Sequence, residues 1–149
     1  MVVPQRKFRE IVFQMVFSHD LGGGGDAKTL APMMDRLMVT KKTLYQAWDK
    51  AQNVLKQIET IDALISKFSK EYDFKRISGV ERNILRLGVF ELKMDAEVPP
   101  KVAISESIRL SRKFGTPEGG AFVNAILDAI YLSEECLCPS QTVLKKITV

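Results

Sequence analysis

The 149-residue sequence predicts an all-α fold, and three observations carry that expectation. No stretch shows the strict apolar–polar alternation of a half-buried strand. Apolar residues recur instead at three- and four-residue intervals along most of the chain. The periodic segments are also punctuated as helices are: Thr40, Ser78 and Thr116 stand at cap positions, Pro4 and Pro117 at first turns, and Gly115 at an end.

Pro4 opens the first helix, where a missing N–H costs nothing. From there to Leu21, the residues Phe8, Ile11, Val12, Met15 and His19 share one face, the expected core face. Arg6, Arg9, Glu10, Phe13 and Phe17 collect on the opposite face. Two phenylalanines between arginines are unusual on a surface helix. Gly22 to Gly25 form a break, with Asp26 able to cap the next segment.

Ala27 to Val39 reads as a shorter helix divided by Pro32. Thr40 is expected to cap one long helix from Lys41 to about Ser69, with a core stripe from Leu44 through Trp48, Leu55 and Ile61 to Phe68. Thr60 and Asp62 mark a candidate bend, although no proline or glycine forces one. Glu71 to Ile77 forms a connection carrying Tyr72 and Phe74.

Ser78 with Glu81 three residues on is a capping box that starts the central helix. Val80, Ile84, Leu85, Leu87, Val89 and Leu92 then run almost all round it, as in a helix packed on most sides. Arg82, Arg86 and Lys93 form a stripe expected to reach water or a partner. Val98–Pro99–Pro100 separates this helix from the next, whose apolar face runs from Val102 to Leu110. Gly115 ends it, with a left-handed cap in reach. Thr116–Pro117–Glu118 supplies a cap, a first-turn proline and a carboxylate at the positive end of the last helix. Ala121 to Ile130 is apolar except for Asn124 and Asp128; beyond Ser133 no period is clear.

The length suits one core-forming domain, assigned to 1–132, with 133–149 as a loosely packed tail. Twenty-two basic against 18 acidic residues give a net charge of +4, a mild excess that permits an anionic partner without establishing one. No apolar run approaches the roughly 20 residues of a membrane span. No signal-peptide core is expected, since charges interrupt the N-terminus from Arg6 onward. Cys136 and Cys138 are too close for a good structural disulfide, which points to a reducing cytoplasm.

Candidate chemistry is sparse. His19 is the one histidine, with no nucleophile or second base at a motif spacing, so a structural role is the better reading. Cys136-x-Cys138 lacks the second pair of a zinc site, and no metal or cofactor is expected. Gly22 to Gly25 lacks the lysine and hydroxyl of a phosphate-binding loop and reads as a spacer. Gly119–Gly120 reads as a place of close approach, to another helix or to a partner. The basic–aromatic face of the first helix differs in kind. Single-stranded RNA wants cations for phosphates and flat rings for bases, and Arg6, Lys7, Arg9 and Phe17 or Phe13 could supply both. Burial of both rings against another helix is the competing reading.

The run Val80–Glu81–Arg82–Asn83–Ile84–Leu85–Arg86–Leu87 with Glu91–Leu92 resembles the central segment of the NusB transcription antitermination factors. Val98–Pro99–Pro100–Lys101–Val102–Ala103–Ile104 with Glu106, Phe114–Gly115 and Phe122–Val123–Asn124 follow in that family's order. Arg9–Glu10 and Phe17–Ser18 match more weakly, and Gly22 to Phe68 matches mainly in length and helical character. The resemblance implies an all-α, NusB-like fold of two packed helical bundles with about seven helices. It implies no catalysis and a cytoplasmic antitermination factor. Its partners would be boxA-type RNA of ribosomal transcripts, the small-subunit ribosomal protein NusE and, indirectly, RNA polymerase; a second copy of the chain is a further candidate. By the same resemblance Arg6, Lys7, Arg9, Phe17, Glu81 and Arg86 face RNA, while Arg82, Glu118 and Phe122 face the protein partner. The sequence departs from the family in having fewer N-terminal arginines, Phe17 where tyrosine is common, and Ala125 where glycine is usual. A purely protein-binding adaptor of the same fold is the alternative. An RNA methyltransferase carrying such a domain would need a cofactor-binding α/β region after it, and none follows.

Overall fold

A computed structural model describes residues 5–22, 36, 38–69 and 73–133. Among them are six α-helices and one short 3-10 turn, with no strand. The chain divides into two compact units, Met1–Lys56 and Gln57–Val149. The expected helix over 27–39, apart from residues 36, 38 and 39, and the tail with Cys136 and Cys138 lie outside the described residues.

The first unit contains α1 (Gln5–Asp20) packed on α2 (Lys41–Lys56). Thr40 caps α2 as expected: its hydroxyl accepts from the Thr43 N–H at 3.2 Å. Leu44, Ala47, Ala51 and Val54 form the buried stripe of α2. On α1 the buried arc is wider than the sequence suggests. Ile11, Val12, Met15 and Val16 are inside, but so are Arg9 and Phe13, which the sequence places outside. At 100° per residue those two adjoin Val16, so a core face about 200° wide takes them in. His19, expected on the core face, is exposed because it stands in the last turn.

The second unit begins with α3 (Ile58–Phe68). The single long helix expected from Lys41 to Ser69 is in fact two, broken at Gln57. There φ is −103° and ψ is 13°, in the bridge region rather than the helical well. Neither proline nor glycine announces this break, and it precedes the expected bend at Thr60. A 3-10 turn over Phe74–Arg76, capped by Asp73, leads to α4 (Gly79–Lys93). α5 (Pro100–Phe114) and α6 (Pro117–Leu132) complete the unit.

α4 is the centre of this unit, in contact with α3, α5 and α6. Ten of its fifteen residues are buried, which is what its all-round apolar sequence requires. Gly88 allows the tightest approach. A Cβ there would lie 2.7 Å from Ser107 Oγ and 3.0 Å from Leu127 Cδ1, so α5 and α6 close on the bare backbone of α4. The basic stripe expected on α4 departs from its expectation at two of three positions, since Arg86 and Lys93 are each 6% exposed. Lys93 Nζ reaches the Ser133 carbonyl at 3.5 Å. Gly115 closes α5 with φ −118°, so no left-handed cap forms. Its lack of a side chain serves closeness instead, because a Cβ would sit 2.9 Å from the Ser111 carbonyl.

Candidate nucleic-acid and partner interfaces

In the second unit the caps determine where the polar groups stand. Ser78 Oγ accepts from the Glu81 N–H at 3.2 Å, and Thr116 Oγ1 accepts from the Gly119 N–H at 3.2 Å. These bonds fix the first turns of α4 and α6, which carry Glu81 and Glu118. Each carboxylate is thereby placed near the positive end of a helix. The Glu81 carboxylate does not serve the reciprocal half of a capping box. It lies against Gly119, so closely that a Cβ at that position would collide with it.

Glu81, Glu118 and Phe122 come together with Arg76, Ile77 and Gly119 around an open groove of about 230 Å³. Phe122 stands one turn beyond Glu118 and is half-buried. The groove therefore joins two stretches far apart in sequence: the turn before α4 with the start of that helix, and the start of α6. Two carboxylates, one guanidinium and two apolar side chains can recognise a protein segment bearing cationic and apolar groups. Arg76 and Ile77 were not foreseen as lining. Their signal was their place immediately before the capping serine, which puts them beside Glu81 once the helix starts.

Arg86 and Arg82 lie in a different cluster. Arg86 Nε donates to Asp62 Oδ1 and Nη2 donates to Asp62 Oδ2, each at 2.8 Å. Nη1 donates to Asn83 Oδ1 at 3.1 Å, while Asn83 Nδ2 donates to the Gly79 carbonyl at 2.7 Å. The guanidinium carbons of Arg86 and Arg82 lie 5.6 and 5.8 Å from the Phe74 ring centroid, within cation–π range. Arg82 Nη1 also approaches the Ile77 carbonyl at 3.5 Å. Arg86 thus ties α3 to α4 and leaves little of its own surface exposed. Asp62, noted in the sequence only as a bend marker, is its counter-ion.

In the first unit Arg6 is exposed, Lys7 is half-buried and Arg9 is 6% exposed. Phe17 is half-buried, with its ring centroid 5.7 Å from that of the buried Phe13 at 46°. Lys50 of α2 places its Nζ 6.0 Å from the Phe8 ring centroid. On this helix Arg6, Lys7 and part of the Phe17 ring reach the surface, with Arg9 and Phe13 behind them.

Residues 6–132 match the model of the NusB family. The chain is 37% identical over 129 residues to the transcription antitermination protein NusB of Desulfosudis oleivorans, covering 85% of this chain and 84% of that protein. A crystal form of T. maritima NusB superposes with a TM-score of 0.77 at 30% identity, covering 97% of this chain and 99% of that one. A structure of antitermination factors NusB and NusE in complex with double-stranded RNA matches with a TM-score of 0.73 at 28% identity, over 85% and 95% of the respective chains.

Proposed function

The chain belongs to the NusB family, and we propose that it is a transcription antitermination factor that binds boxA-type RNA together with the ribosomal protein NusE. It acts by binding, with no catalytic step. It works in the cytoplasm; no helix among the described residues is long and apolar enough to cross a membrane. RNA polymerase is reached indirectly, through the assembled complex. Residues 1–132 act as one functional domain.

The observation that carries this reading is the groove between the first turns of α4 and α6, where Glu81, Glu118 and Phe122 meet. Two carboxylates beside a ring favour a basic protein segment and repel phosphate, so we assign this groove to the ribosomal protein. RNA then falls to the first unit, with Arg6 and Lys7 meeting phosphates and Phe17 meeting a base. Arg9 supports that helix from within. Arg82 and Arg86 shape the second unit through Phe74 and Asp62.

A protein adaptor without RNA binding of its own is the second reading. It is favoured by the burial of Arg9 and by the engagement of Arg86 with Asp62, which remove two cations from the RNA-facing set. Titration of boxA-type RNA with and without NusE, at two salt concentrations, separates the two readings. The RNA-binding reading expects measurable, salt-dependent binding without NusE and tighter binding with it. The adaptor reading expects no binding until NusE is added.

A further inference from the structure

The positive charge of this chain is unevenly divided. Residues 1–56 hold nine basic and five acidic side chains, the entire net +4, while 57–149 hold thirteen of each. Within the first unit α1 is a minor source. Its Arg6, Lys7 and Arg9 are offset by Glu10 and Asp20, and Arg9 is buried. α2 carries Lys41, Lys42, Lys50 and Lys56 against Asp49 alone.

Four of those five charged residues share one side of α2. At 100° per residue, Lys41, Tyr45, Lys56, Asp49 and Lys42 fall in order within an arc of about 100°. All five are exposed, and the buried stripe of Leu44, Ala47, Ala51 and Val54 lies on the other side. The outer arc therefore does nothing for the core of its own helix. Tyr45 keeps 41% of its surface, and Lys41 Nζ stands 5.7 Å from its ring centroid. Lysines alone are the ordinary solvated face of an amphipathic helix. An exposed ring set among three of them supplies the second element that a single strand of RNA needs, a flat surface beside the cations.

We propose that this outer face of α2 is a second RNA-contact surface, with Lys41, Lys42 and Lys56 meeting backbone phosphates and Tyr45 stacking a base. The inference rests on the RNA-binding reading given above and adds a helix to it. Three cations to one carboxylate match a polyanion better than a protein surface of mixed charge. α1 and α2 pack on each other within one unit, and this arc lies on the side of α2 away from its buried stripe, so a strand held at Arg6 and Lys7 meets it by passing round α2. The chain thereby recovers on α2 the cations that its first helix lacks.

The test uses the full chain and boxA-type single-stranded RNA in two lengths, one limited to the element and one extended at both ends. Changing Lys41, Lys42 and Lys56 together to Gln should lower the slope of log affinity against log salt by about 2 on the longer RNA, at roughly 0.7 per lost phosphate contact. Tyr45→Ala should weaken that RNA roughly fivefold or more. Asp49→Lys should strengthen it and steepen the slope. All these positions are exposed, so thermal melts should stay at the parent midpoint. Unchanged affinity and slope in all three variants overturn the proposal. If only Arg6→Ala/Lys7→Ala weakens RNA, the α2 surface fails and the broader reading stands. If the parent protein binds no RNA, both fail. Normal RNA binding with loss of NusE binding in the lysine variant assigns α2 to the protein partner and likewise overturns the proposal.

Discussion

Arg86 grips Asp62 with two parallel hydrogen bonds of 2.8 Å, and the arginine side chain is only 7% exposed while the aspartate is 23% exposed. A planar guanidinium facing a carboxylate in this way is specific to arginine, because lysine offers one point charge. The pair joins α3 to α4 across 24 residues of sequence, with Phe74 beside the guanidinium.

Arg86→Ala is therefore expected to destabilise the fold by about 2–3 kcal/mol, because it leaves the Asp62 carboxylate without its partner. Arg86→Lys should recover only part of that loss. Denaturant melts measure both. RNA titration on the folded Lys variant then asks whether this residue touches RNA, and a structural tie predicts unchanged affinity. A variant that melts normally but binds RNA tenfold more weakly would return Arg86 to the RNA-facing set.

Ser78→Ala should cost on the order of 1 kcal/mol, because the Glu81 N–H loses its acceptor at the start of α4. The Glu81 carboxylate does not compensate, since it lies against Gly119. A shift in denaturation midpoint without a change in the denaturant slope is the expected signature. No shift would mean that tertiary packing alone fixes the start of the helix.

Two glycines in the second unit make opposite predictions. At Gly88 an added Cβ meets Ser107 and Leu127 in the interior of the bundle, so Gly88→Ala should destabilise by about 1–3 kcal/mol through overpacking. At Gly119 the added Cβ strikes chiefly the flexible Glu81 side chain, which can swing away, and comes to 3.0 Å from the hydroxyl of Ser111, which can rotate. Gly119→Ala should leave the melting temperature within a few degrees of the parent while moving a carboxylate of the groove. NusE affinity measured by calorimetry should then fall, with RNA binding in the absence of NusE unchanged. Loss of stability in Gly119→Ala equal to that in Gly88→Ala would show that the Glu81 side chain is fixed by more than this contact.

What the sequence disclosed follows from how local each feature is. The caps at Thr40, Ser78 and Thr116 depend on bonds within four residues, and all three hold. The buried character of α4 was legible because apolar residues surround it. The break at Gln57 was not, since a bridge-region residue needs no special side chain. The exposure of Arg9, Phe13 and Arg86 was misjudged for one common reason. A helical wheel shows which residues share a face, but not how wide the buried arc is or whether a distant acid such as Asp62 awaits a cation. The groove was less legible: family likeness set Glu81 toward RNA and Glu118 and Phe122 toward the protein partner, while their meeting in one groove with Arg76, Ile77 and Gly119 needed the fold.

The phenylalanines Phe17 and Phe122 discriminate between the RNA binder and the pure adaptor. Phe17 is half-buried and leans on the buried Phe13 at 5.7 Å, so it is neither a free ring nor a core ring. Phe17→Ala should cost about 1 kcal/mol of stability, the worth of an aromatic pair with modest burial. A core phenylalanine would instead cost about 3–5 kcal/mol. If its open face receives a base, the same change removes a further 1–3 kcal/mol or so from RNA binding. Phe122 lines the acidic groove, where a base would bring its phosphate toward Glu81 and Glu118. Phe122→Ala should therefore weaken NusE binding while leaving RNA affinity unchanged when NusE is absent. Thermal melts, RNA titration and NusE titration on the two variants give six measurements with one expected pattern. RNA affinity lost with Phe17 and NusE affinity lost with Phe122 supports two separate surfaces. RNA affinity retained in both folded variants leaves the rings to protein contacts, and the adaptor reading then accounts for the chain.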